Sequence, residues 1–185
     1  MDDIGILQGN KTAFVLIDVQ EKFMPVIDGI DRVISNSNML IKASEILKIP
    51  LVVTEQYPKG LGKTIDEIKL PGKQKIISKV CFSCFGSDEF EQELEKLDPE
   101  NLVLFGIESH VCVLRTALDA LERGFSVHIA ADAVSSRNPE NSKLALERMR
   151  QAGAFISPAE TIVFQLIDAA GTEEFRKISE LVKRS

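Results

Sequence analysis

The sequence predicts an α/β protein in which helices cover both faces of a mostly parallel sheet. Six short apolar runs alternate with segments whose apolar residues recur at helical spacing. Several of the runs are apolar almost throughout, which is typical of strands that are buried on both faces. Strands that alternate with helices and are joined by right-handed crossovers form a parallel sheet.

No linker, internal repeat or low-complexity tract interrupts the 185 residues, and this length is enough for one domain with a sizeable core. We therefore expect residues 1–185 to form a single domain. The predicted strands are Ala13–Val19, Leu51–Thr54, Lys75–Lys79, Leu102–Ile107, Val127–Ala131 and Phe155–Ser157.

Capping residues mark the ends of the helical patterns. Ser87 is expected to cap the helix that follows it, and Asn138 precedes a proline that is suited to a first helical turn. Gly124 and Gly153 are stop signals. The segment Ser157–Glu160 has the pattern of a capping box with proline at the first helical position. The predicted helical segments are Asp31–Leu47, Asp88–Leu97, Ser109–Arg123, 138–153, a segment that begins after 157 and Glu173–Val182.

The composition argues against several functional classes. A formal net charge of −6 does not favour non-specific nucleic-acid binding, which depends on clustered Lys and Arg. No apolar stretch reaches the roughly 20 residues that a membrane span needs. The N-terminal stretch MDDIGILQGN has neither the charged start nor the apolar core of a signal peptide. We expect a cytoplasmic protein without membrane partners, whose three cysteines are free thiols.

Three chemically distinct side chains follow the predicted strands at their carboxyl ends, where open α/β sheets bind ligands. The first strand delivers Asp18, the third Lys79, and the fourth leads to Cys112 at the start of a helix. A helix N-terminus and a nearby ammonium both favour a thiolate, and a carboxylate can act as general base. A packed thiol, a turn-capping aspartate and a surface lysine are the alternative interpretation.

Three segments resemble the motifs of the isochorismatase-like cysteine hydrolases: LIDVQEKF, SKVCFSCF and GIESHVCV. Two more, TEQYPKGLGKT and QAGAFIS, resemble the isochorismatase domain-containing subgroup of that superfamily, which also includes nicotinamidases and N-carbamoylsarcosine amidase. The resemblance covers essentially the whole chain. It implies a three-layer αβα, Rossmann-like fold whose six strands are mostly parallel and ordered 3-2-1-4-5-6.

The resemblance implies a role for each strand-end residue. Asp18 matches the general base, Lys79 the family's lysine and Cys112 the nucleophile that forms a covalent thioester. The peptide between Ile107 and Glu108 matches a non-proline cis bond, which directs the backbone N–H groups of Glu108 and Cys112 toward an oxyanion. Relatives are commonly dimers, tetramers or octamers, so a homo-oligomer is expected.

The substrate pocket is less well specified. Gln20 and Phe23 match positions near the pocket in the family, and the remaining candidates flank the predicted site in sequence. Tyr57 opens a turn-rich loop that is either a surface connection or a lid beside the pocket. The other candidate pocket residues are Gln56, Phe82 and Phe85.

Departures from the relatives and other candidate sites narrow the function. Nicotinamidases carry an Asp-x-His metal pair after the second strand, where this sequence reads TEQY, so the resemblance implies neither metal nor cofactor. The C-x-x-C pair Cys81 and Cys84 has no second pair to complete a zinc site, and a redox role is less favoured than packing. His110 is two residues from Cys112, a poor helical spacing for a Cys–His dyad. His128 lies in an apolar strand and is expected to be structural.

The sequence thus predicts a cofactor-independent cysteine hydrolase that acts on a small amide, imide, carbamoyl compound or ester. The presence of Cys112 favours covalent carbonyl chemistry over the opening of isochorismate, which needs no thiol. The alternative is a non-catalytic binding or scaffold protein on a hydrolase fold.

Overall fold

A computed structural model describes residues 4–183. Its sheet has six strands, all parallel, in the order β3-β2-β1-β4-β5-β6, as predicted. The central strands β1 and β4 are buried along their whole length, because apolar residues occupy both of their faces. The strands are β1 Thr12–Ile17, β2 Leu51–Gln56, β3 Ile76–Lys79, β4 Asn101–Ile107, β5 Ser126–Ser135 and β6 Phe155–Ser157.

Helices lie on both sides of this sheet because the strand order reverses direction between β1 and β4. Right-handed crossovers place the helix after β1 and the helix after β4 on opposite faces. The first of these packs against the two C-terminal helices, and the second packs against the helix that follows β5. The helices are α1 Ile30–Leu47, α2 Pro58–Leu61, α3 Asp88–Leu97, α4 Leu114–Glu122, α5 Pro139–Gln151, α6 Ala159–Gln165 and α7 Glu173–Val182.

The structure agrees with one of three predicted helix caps and differs from the prediction at the other two. The side chain of Asn138 accepts a hydrogen bond from Glu140 N (2.9 Å), as a cap should. Ser87 lies at the N-cap of α3 but makes no side-chain capping bond. The capping box at Ser157 is wrong: Pro158 is itself the N-cap of α6, and Ala159 N donates to the carboxylate of Asp132 (2.8 Å).

The register between β4 and β5 shifts after Leu104, so β5 carries extra residues, among them Asp132. This irregularity is what brings an acidic side chain to the N-terminus of α6, where a negative charge is favourable. The same part of the sheet contains Gly106, whose φ is +116° and where any Cβ would clash with the carbonyl oxygen of Ile17. Glycine is therefore required where β4 passes β1, immediately before the turn that carries Cys112.

None of the helices in residues 4–183 is long and apolar enough to cross a bilayer.

Candidate active site

The carboxyl edge of the sheet brings Asp18 and Lys79 into direct contact. Asp18 follows β1, and Lys79 is the last residue of β3, so β2 separates their backbones. The lysine side chain crosses this gap, and Lys79 Nζ lies 2.6 Å from Asp18 Oδ2 with both side chains fully buried. A buried ion pair of this kind needs further hydrogen bonds to offset the loss of water.

Residues of β2 provide those bonds for the carboxylate. The hydroxyl of Thr54 donates to Asp18 Oδ1 (2.7 Å), and the backbone N–H of Asp18 donates to the Thr54 carbonyl (3.2 Å). Asp18 adopts a left-handed backbone conformation with φ of 54°. Both carboxylate oxygens are therefore held by donors, one by Thr54 and one by Lys79.

The ammonium of Lys79 is held by protein acceptors on several sides. Besides Asp18 it donates to Gln56 Oε1 (2.9 Å) and approaches the carbonyls of Cys81 (3.3 Å) and Phe82 (3.2 Å). Burial lowers the pKa of Lys79, but the charge of Asp18, the two neighbouring cysteines and the hydrogen bond to Asp18 together outweigh this effect, so the pKa is raised overall. The lysine stays charged and serves the carboxylate.

Cys112 lies in a single π-helical turn, Ser109–Val113, that joins β4 to α4. This turn corrects the prediction of one α-helix from Ser109. Cys112 is 5% exposed, and its thiol lies close enough to Asp18 and Lys79 for both groups to shift its pKa, so all three predicted catalytic side chains meet at one place.

The surroundings of Cys112 favour the protonated thiol. Burial raises its pKa, and the charge of Asp18 raises it further, while Lys79 lowers it by less. Lys79 acts on the thiolate in the predicted direction, but its effect is smaller than the two that oppose it. The physical reason is that the ammonium is already paired with Asp18, while the sulfur is almost shielded from water.

Two side-chain contacts join the π turn and Glu108, the residue before it, to the segment that follows β5. The Ile107–Glu108 peptide is cis, and the buried carboxylate of Glu108 accepts from Arg137 Nε (3.0 Å). The Nδ1 atom of His110 lies 2.9 Å from the hydroxyl of Ser136. The imidazole thus contacts Ser136, which argues against a Cys–His dyad.

Gln20 and Gln56 are near the site, but their side chains are used within the protein. Gln20 is 0% exposed, and its amide bonds both backbone groups of Gln56 (2.8 and 3.0 Å) as well as the Gly62 carbonyl (2.7 Å). Gln56 bonds Lys79 and the Val80 carbonyl (2.7 Å). Full burial of Gln20 argues against its predicted contact with the substrate, whereas that of Gln56, which is 8% exposed, stays a prediction.

The four aromatic candidates fall into different environments. Phe85 is buried against Phe90 and Phe125, with ring centroids 5.2 and 5.8 Å away, which argues against its predicted place in the pocket. Tyr57 is 53% exposed and lines a cavity of about 500 Å³ together with Lys79 and other residues of the loop after β3. Phe82 is exposed in that loop, as is Val80, and Phe23 is half-buried against the core.

The remaining cysteines are free thiols. Cys84 is 0% exposed; its backbone N–H donates to Thr116 Oγ1 (3.0 Å), and its sulfur lies 3.9 Å from Thr54 Oγ1. Within residues 4–183 there is no group of three His, Cys, Asp or Glu side chains that could hold a metal ion.

Thr54 is the residue that contacts the site and that the sequence did not single out for such a role. Its register partner on β1 is Ile17, directly before Asp18. A polar residue at the carboxyl end of the strand between β1 and β3 was the signal available, but hydroxyl residues at strand ends are too common to be informative alone.

Comparison with known proteins places this geometry in a family. Residues 12–161 match the isochorismatase domain model. The chain is 42% identical to isochorismatase domain-containing protein 2 from Danio rerio over 183 residues, which cover 98% of this chain and 92% of the relative.

Two solved structures have the same fold. A structure titled MAR1 ribonuclease from Caenorhabditis elegans has a TM-score of 0.90 and 38% identity, covering 96% of this chain and 92% of that one. The YcaC product of Escherichia coli, described as an octameric hydrolase of unknown specificity, has a TM-score of 0.84 and 23% identity, covering 90% and 84%. With most of its length matched by the domain model and by a relative of 42% identity, the chain belongs to the isochorismatase family.

Proposed function

We propose that the protein is a cofactor-independent cysteine hydrolase that acts on a small amide, imide, carbamoyl compound or ester. The observation that supports this most is the meeting of three groups at the carboxyl edge of the sheet: the Cys112 thiol lies within electrostatic reach of the Asp18 carboxylate, whose Oδ2 is 2.6 Å from Lys79 Nζ. A nucleophile beside a base that is itself held by a third group is the arrangement of covalent hydrolases.

In the proposed reaction, Asp18 accepts the thiol proton while the Cys112 sulfur attacks the substrate carbonyl carbon. The tetrahedral intermediate collapses when Asp18 returns this proton to the leaving amine, ammonia or alcohol. Water then attacks the thioester, giving its proton to Asp18, and the protonated carboxyl restores the thiol as the acid product leaves. General-base assistance suits a sulfur whose pKa is raised, because a free thiolate need not accumulate.

The oxyanion is proposed to bind the backbone N–H groups of Glu108 and Cys112. In the π turn, the first backbone hydrogen bond of the i→i−5 type runs from Val113 N to Glu108 O (3.2 Å). The N–H of Cys112 comes one residue before Val113, so it is not the donor of this bond. N–H groups at the start of a helix are oriented to bind an anion.

Lys79 is proposed to act on Asp18 and not on the substrate. Its ammonium is buried and faces Asp18, Gln56 and the carbonyls of the loop after β3. The ammonium holds one carboxylate oxygen of Asp18 in place. In this proposal, Cys112 and Asp18 are the side chains that contact the reacting atoms of the substrate.

The opening to the sulfur favours a small substrate. Only 5% of Cys112 is exposed, so a bulky acyl group could reach it only after the surrounding loops move. Tyr57 and Phe82, which are 53% and 60% exposed, are proposed to form the apolar rim of the entrance.

RNA is not our proposed substrate, although the similar C. elegans structure is titled a ribonuclease. The net charge of −6 does not favour sequence-independent binding of a phosphate backbone. Homo-oligomerisation stays a prediction; the exposed apolar side chains of Val80 and Phe82 support it, because a second copy would shield them from water.

The test compares wild type, Cys112→Ala and the matched control Cys81→Ala on a panel of small amides, imides, carbamoyl compounds and esters, with RNA included. We expect hydrolysis of one small compound by wild type and Cys81→Ala, and a loss of at least about 10³-fold in Cys112→Ala. Hydroxylamine should release the acyl group from Cys112 in a mass-spectrometric assay.

Two results would contradict the proposal. If wild type and Cys112→Ala were equally inactive throughout the panel, a binding or scaffold role would be favoured. If RNA alone were cleaved in a Cys112-dependent manner, the substrate class would be wrong.

A further inference from the structure

The hydroxyl of Thr54 lies against the carboxylate that the proposed mechanism uses as its base. We propose that Thr54 is a positioning residue that holds the Asp18 carboxylate in place as the acceptor for the Cys112 proton. This inference rests on the proposed hydrolase function and adds to it a residue that acts through Asp18. Thr54 itself does not touch the reacting atoms.

The contact is fixed by the sheet. Thr54 and Ile17 are register partners on β2 and β1, so Thr54 lies beside the first residue after β1, which is Asp18. The threonine carbonyl accepts from Asp18 N (3.2 Å), and its hydroxyl donates to Asp18 Oδ1 (2.7 Å). Both residues are 0% exposed, so water does not compete for these groups.

The direction of the hydrogen bond follows from its chemistry. An ionised carboxylate only accepts, so the Thr54 hydroxyl must donate to it. The oxygen of that hydroxyl keeps lone pairs, and the Cys84 sulfur lies 3.9 Å away as a weak donor. The three side chains form a chain of donors that runs from Cys84 through Thr54 to Asp18.

This chain has two effects on the base. A hydrogen bond to an ionised oxygen stabilises the charged form, so Thr54 helps Asp18 remain able to accept the thiol proton. Because Lys79 holds Oδ2 and Thr54 holds Oδ1, the carboxylate cannot rotate. The proton of Cys112 therefore meets an acceptor of fixed orientation.

The pH dependence of Cys112 alkylation by iodoacetamide tests this, since it requires no knowledge of the substrate. Thr54→Val removes the hydroxyl at nearly constant volume, and Thr54→Ser keeps it. On the acid side of the profile, in what we call its acid limb, the alkylation rate falls as the pH is lowered. For Thr54→Val we expect this fall to occur about one pH unit higher than in wild type, so that the rate there is about tenfold lower. Thr54→Ser should restore the wild-type profile.

Thr116→Val is the matched control. Thr116 also has a buried hydroxyl, and it contacts the backbone of Cys84 but not Asp18. A purely structural role for Thr54 predicts that both valine variants lower the melting temperature without moving the acid limb. If Thr54→Val does not fold, Thr54→Ala is measured in its place.

Three outcomes separate this inference from the hydrolase proposal. A folded Thr54→Val or Thr54→Ala with the wild-type profile overturns the positioning role, and so does a Thr54→Ser that behaves like the valine variant. Asp18→Asn should abolish the acid limb. If Asp18→Asn and wild type had the same profile, the general-base mechanism would fail, and the role of Thr54 would fail with it.

Discussion

The two short turns that follow β3 and β4 each contain a buried cysteine, yet they differ in how that cysteine meets the site. Cys84 lies in the 3₁₀ turn Cys84–Gly86 and is 0% exposed, with Thr54 between its sulfur and Asp18. Cys112, in the π turn, is 5% exposed and lies within electrostatic reach of Asp18. Burial raises the pKa of both thiols, that of Cys84 from its ordinary value of 9.0 to about 12.

At this site, neither the residue type nor the direction of the pKa shift distinguishes the proposed nucleophile from a cysteine that is packed in the core. The surroundings of both sulfurs favour the protonated thiol, and both sulfurs lie within electrostatic reach of Lys79 and Asp18. What distinguishes Cys112 is a narrow opening to solvent, which Cys84 lacks. Three measurements would sharpen or break this comparison.

Removing the cation that both cysteines face should have the largest effect. Lys79→Met leaves the Asp18 carboxylate buried without its partner, so we expect the free energy of unfolding to fall by about 3–5 kcal/mol in urea denaturation. Lys143→Met is the control, because the Lys143–Glu140 pair lies on the surface and its loss should leave the denaturation midpoint unchanged. Equal midpoints for the two variants would contradict a stabilising role for the buried pair.

Selective labelling should separate the two thiols. Iodoacetamide on the native protein should modify Cys112 at least about 10²-fold faster than Cys84, since a fully buried thiol reacts only after the structure opens. Peptide mass spectrometry over a time course measures both rates. In urea the two rates should become equal, and a native ratio near one would show that the opening to Cys112 is closed.

The smallest expected effect is on alkaline stability. Because folding raises the pKa of Cys84 above 9.0, its contribution is fully present below pH 9 and is lost as pH rises toward about 12. Between pH 8 and 10, wild type should lose about 1 kcal/mol more unfolding free energy than Cys84→Ala. Denaturant titrations at several pH values measure this, and parallel curves would mean that Cys84 keeps its ordinary acidity.

Much of the site was accessible from the sequence because its residues follow strands. Apolar runs reveal where parallel strands end, and those ends share one edge, so Asp18, Lys79 and Cys112 were expected together. The pocket residues were less predictable. Gln20 and Phe85 lie close to the motifs in sequence, but the direction of each side chain depends on contacts made by distant segments.

By itself, the sequence determined the order of the elements and the three side chains that follow the strands at their carboxyl ends, because local periodicity shows where strands and helices lie. The strand order of the sheet was expected from the family resemblance. Only the tertiary structure decided that Thr54 holds the base, that the surroundings of Cys112 favour the thiol and that the two glutamines support backbone and lysine. Hydrogen-bond partners, burial and the pKa shifts that follow depend on atoms brought together from separate strands, and a linear pattern does not contain those distances.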